Sequence, residues 1–462
     1  MGTALAAAAD AAGLDFSPAQ KLLVVGVCAL TAGAAHMALA VFNDGVRPFM
    51  LDFIHGRATR NATGAVSFGL SAGFVFGLGA PMALSTGVLN PWLLFLPTDV
   101  LGILAPRRWL APLLGAAWGA VVVYGLGGAN ELAHGLPVDF LTAMRQMSTP
   151  ILFLFALFPA LAVTKQFGRL RGGLTGAVTL GLVVLTMRVW PGVFAGAPAM
   201  AVGVLMLIGF AVAADLRTAR ASGTVAAEGA GGVGGGPGPG PGPGAEDPMA
   251  SLFSSGAARL RRHLPLFMAL GAGVCALAQM KVFGGGEATS FLIAKGQYAE
   301  AAQVDFYRVF GFLPLIATTA LASGAYGIAG FTLVYPIGYL LPNPFVAAAV
   351  GALVFALEVL ALSSIGRALG RLPSVRDCSE HLRAAIGDAL GLAILFGSLM
   401  AANAMGGGLG ILICGGLYLL NEAMGRPVVR MAAAPAAVLA GGVALNGLYW
   451  LGLFTPVAGG PA

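Results

Sequence analysis

Glu358 stands in the middle of Val354-Phe355-Ala356-Leu357-Glu358-Val359-Leu360, with no basic residue near it in the apolar run. A carboxyl group at membrane depth costs several kcal/mol by insertion scales, so it is expected to face protein or water and to do something there. Glu358 is the first candidate for a coupling group that takes up a proton, or meets a cation, in turn with a solute. A neutral acid bonded between helices is the alternative. Asp99 follows Leu96-Pro97-Thr98. Pro97 removes a backbone donor and is expected to interrupt its helix, so that Thr98 and Asp99 line a solute site among freed backbone groups. An aspartate can also be a helix-end cap.

A corresponding stretch in the second half carries Thr332, Tyr335 and Tyr339 around Pro336. Paired proline-interrupted segments in two halves of a membrane protein are a sequence pointer to a transport site. Tyr335 could bond or stack on a solute, or pack as an aromatic. Thr318 and Thr319 could donate to a solute, or bond back to helix carbonyls. His36, in an apolar run, is a second coupling candidate, with a bridge between helices as the plain reading. Asp44 with Arg47, and Glu422 with Arg426, are candidate gate ion pairs, although loop pairs usually contribute little. Asp388 reads as interfacial. No phosphate-binding glycine loop, histidine-rich metal cluster or Ser/His/Asp arrangement is visible. No cofactor, metal or enzymatic role is therefore expected.

The elements that must hold these residues are membrane helices. The chain has 462 residues, 58% hydrophobic and 10% charged, with a mean hydropathy of +0.87. Soluble domains carry about 25% charged residues. Apolar runs of about 17–23 residues recur along the chain, each long enough to cross the hydrocarbon core as a helix. Their placement predicts spans at 21–41, 64–83, 88–105, 109–127, 148–164, 173–190 and 196–215, and a second series at 263–281, 306–324, 326–341, 345–363, 385–404, 407–421 and 432–454. Many of the 70 glycines fall in or beside these runs, where small residues let helices approach closely. Cys28, Cys275, Cys378 and Cys414 have no metal-ligand spacing and read as packing residues. No basic region or cleavage site marks the N-terminus as a removed signal, so the first run is expected to be retained.

Alternate assignment of the loops puts nineteen of the 25 basic residues on one face and six on the other. That asymmetry places the rich face in the cytoplasm and both termini outside. The net charge of +6 is dispersed in short loops, which argues against nucleic acid as a partner. The expected partners are a small-molecule solute and the lipid bilayer, with homodimer formation left open.

Three regions follow: a seven-helix half at 1–215, a cytoplasmic linker at 216–262 and a seven-helix half at 263–462. The linker holds the disordered run Pro237 to Gly244. Residues 249–262 form a candidate interfacial helix, with Arg259, Arg261 and Arg262 toward headgroups, and ordinary positive-inside flanking charge is the alternative. Val27-Cys28-Ala29-Leu30 matches Val274-Cys275-Ala276-Leu277, and Trp190-Pro191 parallels Arg426-Pro427. Seven spans is an odd number, so equivalent helices run in opposite directions. The expected fold is an all-α integral membrane protein of about fourteen helices in two inverted repeats, with helices three and ten interrupted by proline. Such a layout resembles that of the nucleobase and anion carriers, in architecture and not in substrate.

Phe42-Asn43-Asp44-Gly45-Val46-Arg47-Pro48, Leu89-Asn90-Pro91-Trp92-Leu93-Leu94-Phe95-Leu96-Pro97-Thr98-Asp99, Pro314-Leu315-Ile316-Ala317-Thr318-Thr319-Ala320-Leu321-Ala322, and Asn421 through Pro427 to Leu448-Tyr449-Trp450-Leu451-Gly452-Leu453-Phe454 resemble the YhfT family of bacterial inner-membrane proteins. The resemblance covers all but the linker and the extreme N-terminus. It implies a multi-pass protein of the bacterial cytoplasmic membrane, transporter-like, encoded near enzymes of small metabolites, and it supplies no site residues. The long linker departs from the family's pattern. The expected function is a proton- or ion-coupled secondary transporter of a small polar metabolite, with an anionic one left open. Competing readings are the membrane component of a phosphotransferase-type sugar system, a membrane-embedded enzyme and a channel. A fluorescent protein inserted within 230–247 is expected to fluoresce and a periplasm-dependent phosphatase at the same place to be inactive; the opposite pattern overturns the orientation.

Overall fold

The computed structural model describes residues 14–43, 46–54, 56–191, 194–229, 248–306, 320, 324–327, 333–371 and 373–456. Described residues are helical almost throughout, and nine helices among them are long and apolar enough to cross a membrane. In the first half, α1 (Pro18–His36) starts from a capping box between Ser17 and Gln20. It gives way, through Ala38 in the left-handed region (φ 53°), to β1 (Ala40–Val41). There follow α2 (Arg47–Ile54) and α3 (Arg60–Phe74), which continues through a π-helical turn at Val75–Gly79 into α4 (Ala80–Thr86). Next come α5 (Pro91–Leu104), α6 (Leu110–His134), and the segments α7 (Phe140–Met144), α8 (Ser148–Phe155) and α9 (Phe158–Phe167). The half ends with α10 (Arg169–Val189) and α11 (Gly196–Gly229).

The second half opens with α12 (Pro248–Arg262), α13 (Leu264–Gln279) and α14 (Glu287–Ala294), and a further helix occupies 298–306. Then come β2 (Tyr326–Gly327), α15 (Val334–Leu340), α16 (Pro344–Arg371), α17 (Pro373–Ala423) and α18 (Arg430–Trp450). α17 is not one rod: Gly406 (φ −147°) and Gly407 (φ 56°) leave the helical region, and a Cβ on Gly410 would lie 2.1 Å from the Ala402 carbonyl oxygen. Residues eight apart along a continuous helix are about 12 Å apart, so the chain doubles back here. α9 and α10 meet in the same way around Gly168 (φ 86°), with Gly172 against Thr164.

Two short extended crossings join the halves. Ala40 pairs in parallel with Tyr326 and Val41 with Gly327, and the Tyr326 N–H donates to the Leu39 carbonyl at 2.7 Å. Leu89 forms a parallel bridge with Phe283; its N–H donates to Val282 (2.8 Å) and its carbonyl accepts from Gly284 (2.9 Å). The segment after α1 thus pairs with the segment before α15, and the segment after α13 pairs with the segment before α5. The approaches match as well. Ala38 and Lys281 (φ 62°) take left-handed turns after α1 and α13, and Gly87 (φ 71°) and Gly324 (φ 62°) do so two residues before Leu89 and Tyr326. Only glycine adopts that last geometry without steric cost. Cys28 of α1 packs on Gly115 of α6, and Cys275 of α13 packs on Gly351 of α16.

Around the crossings α1, α5, α6, α13, α15 and α16 form one packed group; α8 to α11 pack with α17 and α18 in another. All four cysteines are buried and free. Four expectations need correction. Pro97 does not interrupt α5, which runs unbroken from Pro91 to Leu104. The carbonyl that Pro97 leaves without its helical donor is that of Leu93, and the Trp118 indole N–H of α6 donates to it at 2.9 Å. The breaks lie instead ahead of the helices, at Gly87–Asn90 and at Gly324–Gly327. α15 is only seven residues long, and Pro336 sits in its first turn, where a missing N–H costs little. Arg259 does not point to headgroups: its guanidinium donates to Met37 (2.9 Å), Ala38 (3.1 Å) and Gly324 (3.0 Å) carbonyls. α11 runs on to Gly229, past the expected boundary at 215, and Pro237 to Gly244 lies outside the described residues. Gly410→Ala is expected to destabilise by about 1–3 kcal/mol through overpacking, read as a lower melting temperature in detergent, whereas Gly416→Ala, with open space around it, leaves the melting temperature unchanged.

Candidate functional site

The β1–β2 crossing is bracketed by two acids. On the first side, Asp99 of α5 is fully buried, and its Oδ2 accepts the backbone N–H groups of Phe42 (2.8 Å) and Asn43 (3.0 Å), the residues directly after β1. Those N–H groups are left over where α1 stops, and in an apolar interior they need an acceptor. Asn43 in turn donates from Nδ2 to Ser71 of α3 (3.1 Å). On the other side, Glu358 of α16 accepts at Oε2 from the Tyr326 hydroxyl (2.8 Å), and Tyr326 is the β2 residue paired with Ala40. The Tyr326 ring is wedged between Phe267 of α13 (5.8 Å) and Phe355 of α16 (5.0 Å, edge-on).

The second crossing has its own polar support. Gly285 N–H donates to the Tyr339 hydroxyl (2.8 Å), which donates to Asp305 Oδ2 (3.0 Å); Thr289 donates to Asp305 Oδ1 (2.7 Å). Asp305 and Glu287 are buried. Lys281 reaches the Tyr339 carbonyl, at the last turn of α15. Tyr339 therefore receives the chain after α13 much as Asp99 receives the chain after α1. Between the two crossings runs a line of rings: Trp92 to Phe42 (5.1 Å), Phe42 to Phe95 (5.9 Å), Phe95 to Phe283 (5.4 Å) and Phe283 to Tyr335 (5.5 Å). The arrangement offers buried acids, hydroxyls and aromatic faces at the place where helices give way to extended backbone. Among the described residues no group of three or more His, Cys, Asp or Glu side chains could hold a metal ion.

Of the residues singled out from sequence, Asp99, Thr98, Tyr335 and Glu358 fall in this region. The Thr98 hydroxyl is committed to packing: it donates to the Phe95 carbonyl and accepts from Thr31 of α1, both at 2.9 Å. Tyr335 is buried against Phe283. His36 lies apart, in the last turn of α1, with Nδ1 3.0 Å from Arg60 Nη1 and 3.1 Å from the Gly102 carbonyl. Glu422 does pair with Arg426 (2.9 Å), and also with Arg430 (3.0 Å), but at an exposed helix end away from the crossings. Lys165 and Asp388 form an exposed pair at 2.5 Å between α9 and α17. Asp44, Thr318, Thr319 and Thr332 lie outside the described residues, as does the side chain of Arg47. So does most of the span expected at 306–324; the helix leading into it already begins at 298.

Tyr339, noted beside Pro336, also falls in this region, and Tyr326, Asp305 and Thr289 are the polar groups here that sequence reasoning passed over. Asp305 falls one residue before an apolar run, where an acid reads as a loop residue. For Tyr326 a signal existed: Gly324 two residues ahead of it, as Gly87 is ahead of Leu89, inside stretches otherwise apolar.

A family model described as YhfT, a protein of unknown function, matches residues 20–454. The uncharacterized protein YhfT of Escherichia coli (strain K12) is 41% identical over 449 residues, which span 95% of this chain and 99% of that protein. No solved structure matches the chain. Asp99→Ala removes the acceptor of the Phe42 and Asn43 N–H groups and is expected to lower stability by about 1–3 kcal/mol for each group, measured by thermal unfolding in detergent; an unshifted melting temperature would contradict the structural role given to Asp99.

Proposed function

The chain belongs to the YhfT family, whose name carries no activity, and from the geometry we propose that it is a secondary active transporter working by alternating access. The observation that carries this reading is the pair of reciprocal crossings: each half supplies one segment after its first helix and one before its short helix, and each pairs with the complementary segment of the other half. Two related halves joined this way can rock about a central site with two conformations of similar energy.

Fourteen crossings belong to this reading. The nine long helices among the described residues become ten when the reversal at Gly406–Gly407 is allowed for; Pro91–Leu104, Leu264–Gln279 and Val334–Leu340 are short ones, and the helix at 298–306 stands for the fourteenth, whose continuation lies outside the described residues. Division at the linker gives seven per half, in opposite senses. The matched turns at Ala38 and Lys281, at Gly87 and Gly324, and at Gly168 and Gly407 support the repeat. The protein sits in the bacterial cytoplasmic membrane with its linker inside and its termini outside, as the distribution of basic residues supports.

The solute is a small polar metabolite, bound where the helices are interrupted. Asp99, Asp305 and Glu358 are all acids, so an anionic solute meets the positive N-terminal end of α5 and not these side chains. Glu358 is the coupling group: Oε2 accepts from Tyr326, and Oε1 is buried with no hydrogen-bond partner among the described residues, leaving it open to a proton. No cofactor takes part.

A metabolite library offered to proteoliposomes with and without an imposed proton gradient tests the reading. One unit of pH difference drives about tenfold accumulation of a solute moved with one proton, and Glu358→Gln is expected to reduce that to equilibration. Folded protein that accumulates nothing would turn attention to a phosphotransferase component or an enzyme.

A further inference from the structure

Among the described residues, Tyr326 touches both the inter-half crossing and the acid assigned to coupling. Its backbone N–H donates to Leu39 in the first half at 2.7 Å, and its hydroxyl donates to Glu358 Oε2 at 2.8 Å. The ring between these two ends is held by Phe267 and Phe355 and is among the largest fully enclosed side chains of the protein. Phe355 and Glu358 are three residues apart on α16, on one face of the helix, so ring and hydroxyl are seated by the same surface. The crossing itself is only two residue pairs long. Such a short ladder cannot hold alone and depends on what fixes its side chains.

We propose that Tyr326 is a positioning residue through which the protonation of Glu358 sets how firmly β2 is held against β1. The inference rests on Glu358 as the coupling group. A phenol donating to a carboxylate makes a charge-assisted bond, roughly twice as strong as the bond it makes to a neutral acid. Deprotonated Glu358 therefore pins the Tyr326 ring, and with it β2, onto β1; a proton on Glu358 slackens the pin and frees the halves to move. The proton arrives on a carboxyl oxygen and leaves from it, and no covalent step is involved.

Other charged or titratable groups on the elements packed against α16 are Arg259, Arg261 and Arg262 on α12, Cys275 on α13, Lys281 at the end of α13, and Tyr335 and Tyr339 on α15. Arg259 is bonded to the Met37, Ala38 and Gly324 carbonyls, and Lys281 to the Tyr339 carbonyl. Cys275 lies against Gly351, about two helical turns from Glu358. The acids opening α17 are beyond Arg371, roughly 20 Å along the helix. Among the described residues, the Tyr326 hydroxyl is the group that reaches the Glu358 oxygens.

Two measurements on the full-length protein separate this inference from the transport reading. The first needs no solute: amide hydrogen exchange of the peptide holding Tyr326, corrected for intrinsic rate, across pH. Wild type is expected to lose about fivefold in protection as Glu358 takes up its proton, the ratio between a charge-assisted and a neutral hydrogen bond. Tyr326→Phe, which keeps the ring, and Glu358→Gln are each expected to show low protection at every pH, and the double variant to be no lower than either. A pH-dependent change that persists in Tyr326→Phe, or additive losses in the double variant, overturns the proposal. The second is counterflow exchange in proteoliposomes, where Tyr326→Phe is expected to keep exchange while losing the pH profile of gradient-driven uptake. Wild-type uptake with an unaltered pH profile in Tyr326→Phe overturns the role of Tyr326 alone; absence of transport in wild type overturns the transport reading while the exchange arm still decides the link.

Discussion

Backbone hydrogen bonding in a medium without water is the constraint on which the rest of this structure depends. A helix that stops inside a membrane leaves N–H and C=O groups that lipid cannot satisfy. α1, α5, α13 and α15 all start or stop in the interior, and the chain resolves the problem by pairing short extended segments across the two halves and by placing side chains where the pairing runs out. Asp99, Tyr339, Arg259 and Trp118 are best understood together: each supplies the donor or acceptor that a broken or proline-bearing helix lacks.

The same groups that mend the backbone are those a solute could use. Asp99 and Glu358 face the two ends of one strand pair, and Asp305 stands behind the other through Tyr339. An acid engaged with two main-chain N–H groups is held in one orientation, whereas among the described residues Glu358 accepts from one phenol, that of Tyr326. The two acids thus differ in what they hold: Asp99 the main chain after β1, Glu358 a side chain of β2.

Much of this was legible in the sequence. Hydropathy located the long helices, the turn expected between 404 and 407 falls on Gly406–Gly407, and the isolated carboxyl of Glu358 stood out by cost alone. The crossings were not legible, because two-residue strands carry no periodicity and their partners lie more than 190 residues apart. Pro97 misled for a related reason: whether a proline breaks a helix depends on who takes the orphaned carbonyl, and Trp118 sits on another helix. Arg259 looked like a headgroup ligand because its carbonyl partners come from two distant places in the chain, Met37–Ala38 and Gly324.

The reciprocal pairing also has a consequence for synthesis. When the first half leaves the ribosome, β1 and Leu89 have no strands to meet, since Tyr326 and Phe283 have yet to be made. Contacts of such long sequence separation form late and slowly. The first half must therefore wait in the membrane with these segments exposed to the insertion machinery, water or neighbouring protein, and it becomes a finished structure only when the second half arrives to complete it.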